Sequence, residues 1–287
     1  MSYALVLNSS NVVGSNNNTF QFNFINGSFN VKDAEIAISS VQIPYSWYNV
    51  STNYNNTKFS LVFPVGSSTS TLSIVLPNGY YTVVDIQNYI QQQCIANNYY
   101  LVNTSGNYVY YFDMVYSINY YAIQLIMIPV PTTLPTGWTL PSAGTGGWAT
   151  SLPTTGYTPQ IILPATGSIA SIIGFSSGIT LPASLTTSAV NYLSTTTPLG
   201  SIVNSLVVHC SIVKNPVSSP TDILDAIPIN ISYGNNINYQ PTFERWLNIS
   251  DGTYSNLVIT FTDQNMNTLY ARDPNVTITL LLRKKNV

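Results

Sequence analysis

The stretch AEIAISSVQI, Ala34 to Ile43, decides how the chain is read. Ile36 and Ile38 alternate with other residues, and so do Val41 and Ile43, but the two pairs are out of phase. Period-two alternation marks a half-buried strand. One extra residue restores the phase, so the break at Ser39-Ser40 predicts a β-bulge.

The same pattern recurs outward from this run. NTFQFNF (Asn18 to Phe24) puts Phe20, Phe22 and Phe24 on one face and Gln21 and Asn23 on the other. Further strands are predicted in KFSLVF (Lys58 to Phe63), TLSIVL (Thr71 to Leu76), YVYYFDMVYS (Tyr108 to Ser117) and YYAIQLIMI (Tyr120 to Ile128). The last two are joined at Ile118-Asn119 as a hairpin. IVNSLVVHCSIV (Ile202 to Val213), IPINIS (Ile227 to Ser232), NLVITFTD (Asn256 to Asp263) and NVTITLLLR (Asn275 to Arg283) complete the set. Many short strands separated by Gly, Asn and Pro turns define an all-β protein, a sandwich or a barrel.

One segment breaks the pattern. In LPNGYYTVVDIQNYIQQQ (Leu76 to Gln93), Pro77-Asn78-Gly79 is turn chemistry, since Gly tolerates a positive φ and Asn nearly does. Thr82 and Asp85 have the spacing of a capping box. Val83, Ile86, Ile90 and Cys94 form an apolar helical stripe. This short amphipathic helix is expected to brace the sandwich, with Asp85 in the cap rather than in catalysis.

The middle of the chain differs again. Nine of the 17 prolines lie from Pro129 to Pro198. Residues 129–164, rich in Pro, Gly and Thr, are expected to form an inserted loop or small subdomain, reaching at most to about residue 199. Its Trp138 and Trp148 are then exposed insertion residues. Residues 1–128 and 165–287 are expected to be the two parts of the main β domain. SIASIIGFSSG (Ser168 to Gly178) reads as a helical turn ended by Gly174.

Charge excludes several functions. Only 6% of residues are charged, against about 25% in ordinary soluble domains. From Met114 to Val213 there is no Asp, Glu, Lys or Arg. Such a stretch offers no basic face for sequence-specific nucleic-acid binding, and no apolar run reaches the ~20 residues of a spanning helix. Low charge fits a surface that ends against other subunits; a genome favouring Asn and Tyr codons yields the same composition. The N-terminus lacks a basic start and a long apolar core, so no secretion signal is expected. Cys94 and Cys210, in apolar settings, read as buried thiols of a reducing compartment.

No catalytic set is expected. The single histidine, His209, adjoins Cys210 on a strand, so the two side chains point to opposite faces. Two Cys and one His match no zinc spacing, and neither metal nor cofactor is called for. Asp222 and Asp225 read as a capped, solvent-exposed turn rather than paired acids.

Taken in order, AEIAISSVQIPYSWYNVSTNYNN and LPNGYYTVVDIQNYI resemble the N-terminal half of the penton (minor capsid) proteins of virophages and Polinton-like viruses. SIIGF (Ser171 to Phe175), VNSLVVHCSIVKN (Val203 to Asn215) and the closing LVITFTDQNMNTLYARDPNVTITLLLRKK extend the likeness. The resemblance implies a single jelly-roll β-sandwich and a structural role in the virion, as the homopentameric vertex capsomer of an icosahedral capsid. Its partners would be copies of itself and a double-jelly-roll major capsid protein, after synthesis in the host cytoplasm. Tyr45, Trp47, Tyr48, Tyr80, Tyr81 and Asp85 are the motif residues and candidate subunit-interface positions. Arg283, Lys284 and Lys285 are candidates for contact with the internal genome or a membrane, or else a solvated tail. The alternatives are another minor capsid or cement protein of the same fold, or a soluble β-sandwich that binds glycans.

Overall fold

A computed structural model describes residues 2–25, 27–142 and 144–285. The chain resolves into two compact units, Met1–Trp47 with Val203–Val287, and Tyr48–Ile202.

The first unit contains eight main strands: β1 (Ser2–Leu7), β2 (Thr19–Asn23), β3 (Ala34–Pro44), β4 (Ser205–Cys210), β5 (Ile223–Pro228), β6 (Asn236–Tyr239), β7 (Asn256–Asp263) and β8 (Thr277–Lys284). They form two sheets, ordered β1-β8-β3-β6 and β5-β4-β7-β2, with every pair antiparallel. Only β4 and β5 follow each other along the chain within one sheet. The other connections pass from sheet to sheet, which is jelly-roll topology. Short pieces add to the frame: Leu247–Asn248 pairs with β3, and Gly252–Tyr254 pairs with Phe29–Val31.

Alternation explains why these strands form a sandwich. Leu257, Ile259 and Phe261 on β7 and Ile278, Leu280 and Leu282 on β8 are buried, with half-exposed residues between them. In β3 the predicted bulge is present. Thr279 pairs with Ser40 and Leu280 with Ile38, leaving Ser39 as the extra residue. Ile36, Ile38, Val41 and Ile43 are therefore all buried. Phe20 is buried with its ring 6.0 Å from Phe261, whereas Phe22 and Phe24 are only half-buried.

The second unit occupies the whole connection from β3 to β4, over half of the chain. Lys58–Val65 lies between Ser68–Val75 and Gln160–Leu163, and Ile179–Leu181 completes that sheet. A second sheet places Ala122–Met127 between Phe112–Ser117 and Val190–Leu193. A hairpin of Leu101–Val102 and Tyr108–Val109 and helix α1 (Val83–Ala96) complete it. The helix has the expected capping box, and Ile86, Ile90 and Cys94 are buried. These three share one core with Phe59, Leu61, Met114 and Leu125.

These boundaries differ from those expected at residues 128 and 164. The runs from Lys58 to Ile128, expected in the jelly roll, belong to the second unit, and α1 packs into the core of that unit. Proline density marks the irregular part of this unit, but its start is written in strands like any others. Within it, residues 129–164 are not a projecting loop. Gln160–Leu163 is a strand and Trp148 is fully buried in the core. Trp138, also expected to be exposed, is half-buried against the same core. The turn of Ile169–Ser171 and its closure at Gly174, with φ 75°, are as expected.

Candidate functional site

Two of the motif residues are packed inside the chain. Tyr45 and Trp47 are buried, with rings 4.6 Å apart, so they anchor the end of β3 rather than offer a subunit-contact surface. Ser46 between them accepts hydrogen bonds from the backbone N–H groups of Arg272 and Asp273, both at 3.0 Å. Tyr48, half-buried, begins the second unit.

The Asn-rich turn that follows holds the Pro-Asn-Gly-Tyr-Tyr turn in place. Asn49 Nδ2 donates to the carbonyls of Tyr81 (2.8 Å) and Gly200 (2.9 Å), while its Oδ1 accepts from Tyr81 N–H (2.8 Å). Asn56 in turn donates to the Asn49 carbonyl and accepts from Ser51 N–H. Val50 and Gly79 exchange two backbone bonds. Gly79 is not at a positive φ; a Cβ there would sit 2.7 Å from the Tyr81 ring, so any other residue would have to displace that ring. Tyr80 and Tyr81 are half-buried, and the Tyr81 hydroxyl donates to the Pro77 carbonyl. Burial is the main cause that raises the Tyr81 phenol pKa. Asp85 is exposed and accepts from both the N–H and the hydroxyl of Thr82. Replacing Asn49 by alanine leaves three backbone groups without these partners. At about 1 kcal/mol or more each, the second unit is expected to lose roughly 3 kcal/mol, measurable by denaturant unfolding.

The titratable groups are also tied into the frame. His209 is buried, with Nδ1 3.1 Å from Asp222 Oδ1 and Nε2 3.0 Å from Thr262 Oγ1. Asp225 lies in β5, not in an exposed turn. It is buried and accepts from Tyr239 Oη (2.7 Å), Arg245 (2.8 Å) and the Ala226 N–H (2.9 Å). The pattern around Asp225 does not show this placement, because Tyr239 and Arg245 lie 14 and 20 residues further on, beyond the reach of a local motif.

Burial pushes the Cys94 and Cys210 thiols up to about 12. Neither is expected to react with a disulfide reagent at pH 8 in the folded chain, and both should react after denaturation, as thiol titration would show. Their linkage has a definite sign. The fold holds these protons to about 12, while the ordinary thiol loses its proton near 9.0. The stabilisation is complete below pH 9 and falls as pH rises towards 12. Among the described residues no group of three or more His, Cys, Asp or Glu could hold a metal ion.

Two surface features belong to the first unit. The terminal basic run is only partly free: Arg283 Nε donates to Glu35 (3.1 Å) and its guanidinium lies 3.8 Å from the Trp246 ring centroid. Lys284 is exposed, and the Lys285 N–H donates to the Asp33 carbonyl. The second feature is a groove of about 360 Å³ lined by residues of β1 and β2, each of which ends its sheet. Tyr3, Val6 and Ile25 stand exposed beside it, and Phe22, Phe24 and Phe29 line its wall. Neither SYALVL nor TFQFN carries a charge. Edge strands of freely soluble proteins are commonly guarded by charged side chains.

The fold is thus that of an all-β protein with an eight-stranded jelly roll and a second β unit between its third and fourth strands. Among solved structures, the chain is similar to the crystal structure of the mavirus penton protein, at 8% identity and a TM-score of 0.44 over 99% of this chain and 100% of that one. It is similar also to the cryo-EM structure of the Sputnik virophage, at 13% identity and a TM-score of 0.38 over 99% of this chain and 98% of that one. No family model and no curated protein matches the sequence.

Proposed function

We propose that this chain is a structural capsid protein that assembles as a homopentamer into the vertex capsomer of an icosahedral virion. The observation that carries the reading is the flank of the jelly roll, where two uncharged edge strands, β1 and β2, border an apolar groove. A ring of identical subunits uses heterologous contacts, one flank of each copy against a different flank of the next. The β1/β2 flank is one partner in that contact, and the flank ended by β5 and β6 is the other. A charge content of 6% suits a surface that becomes mostly interface. The quoted sequence motifs, and the resemblance they carry, support a vertex position beside a double-jelly-roll major capsid protein. The chain acts in this reading as a shell component, not as an enzyme, and Lys284 is the most accessible residue of the terminal basic run for an inward contact.

Native mass spectrometry of the purified chain tests the assembly, with a pentamer expected. Val6→Lys, which places a charge in the uncovered groove, is expected to hold the chain as a monomer without lowering its melting temperature. A wild-type chain that stays monomeric at high concentration and in the presence of the major capsid protein overturns the proposal.

A further inference from the structure

The second unit carries a cleft that the capsid reading leaves unused. It measures about 290 Å³ and is lined by Tyr80, Tyr81, Tyr116 and Tyr121, with Ile86 and Ile172 among its apolar residues. Tyr116 is 45% exposed and Tyr121 66%, and their rings meet edge to face with centroids 6.2 Å apart. The volume is near the lower end of small-molecule sites, about 300–1,000 Å³. We propose that this cleft binds a neutral oligosaccharide, with the sugar's C–H faces on the tyrosine rings and its hydroxyls exchanging hydrogen bonds with phenolic oxygens.

Three observations select this ligand. No lining residue is charged, and Lys58, Asp85 and Asp113 are the only charged residues of the unit. Asp85, the nearest along the chain to the cleft residues, is engaged with Thr82. An anionic ligand therefore meets no cation in the lining. Second, rings with an apolar face and a polar rim match a ligand that is itself apolar on its faces and polar on its edge. Third, Tyr121 has φ 48° and ψ 46°, the left-handed region. A bulky residue there is an outlier, whereas glycine adopts it freely. That backbone cost falls on a residue whose ring is exposed and lines the cleft.

The test uses the full-length chain against a printed panel of neutral and sialylated oligosaccharides, followed by saturation-transfer NMR on any hit. Binding to neutral members is expected, with no gain from sialic acid. Tyr116→Ala should weaken affinity by about tenfold, the loss of one ring contact. Tyr121→Gly removes the ring and relaxes the backbone, so it should lose binding while its melting temperature holds or rises. Native mass spectrometry of both variants should give the wild-type assembly state, which separates this proposal from the one on assembly. The inference is overturned if no neutral glycan binds the wild type, if sialylated glycans are preferred, or if both variants bind as the wild type does. It is equally overturned if the variants change only the assembly state, since the cleft would then be covered by another copy.

Discussion

Deleting Ser39 is expected to unfold the jelly roll. Ser39 is the unpaired residue between Ile38, opposite Leu280, and Ser40, opposite Thr279. Without it, one half of β3 must turn its side chains outward, because a shift of one residue exchanges the two faces. If the second half turns, Val41 and Ile43 leave a core in which both are buried. Each is worth about 1.5–3 kcal/mol, so the loss is about 3–6 kcal/mol before Gln42 is driven inward. Typical domains hold about 5–15 kcal/mol in all, and β3 is an inner strand paired to both β8 and β6. Far-UV circular dichroism and size exclusion should report an unfolded or aggregated first unit. Ser39→Ala keeps the residue count and is the control, expected to melt within a few degrees of wild type. A deletion variant that melts like the control would show that the bulge does not hold the register.

Trp148→Ala should have the largest effect in the second unit. The indole is fully buried, Nε1 donates to the Pro64 carbonyl at 2.8 Å, and the ring meets Phe63, Tyr99 and Tyr111 edge-on at 5.3–5.7 Å. Truncating a buried tryptophan costs about 3–5 kcal/mol, and here it also strips a carbonyl of its donor. Hydrogen exchange should quicken in Lys58–Val65 and α1, and thermolysin should cut the unit sooner. Trypsin is no use for this measurement, since no Lys or Arg lies between Lys58 and Lys214. Trp138→Ala, at a half-buried site, should cost clearly less. Equal losses for the two variants would count against Trp148 as the centre of this core.

Trp148 also shows where sequence reading stops. Its neighbours AGTGGWATS have no period, and an unpatterned tryptophan in a glycine-rich run reads as exposed. The ring is buried because Lys58–Val65, more than eighty residues earlier, supplies both its acceptor and one of its aromatic partners. Asn49 is similar: nothing local marks it among many asparagines, yet it joins Tyr81 and Gly200. The strand position of His209 sets its side chain opposite that of Cys210, but its pairing with Asp222 and Thr262 needs β4 set beside its neighbours.

What the sequence determined by itself is local. The alternation of β3, β7 and β8, the bulge at Ser39, the capping box at Thr82 and Asp85, and the end of the turn at Gly174 all depend on residues a few positions apart. Side-chain period, a cap and a backbone preference act over that distance. Which strands share a sheet was decided only in the tertiary structure. A strand's pattern records which face is buried, not what buries it, and the backbone hydrogen bonds that pair strands are the same for every sequence. So β1 finds β8 across nearly the whole chain, and Lys58–Val65 joins a separate core although it follows β3 closely.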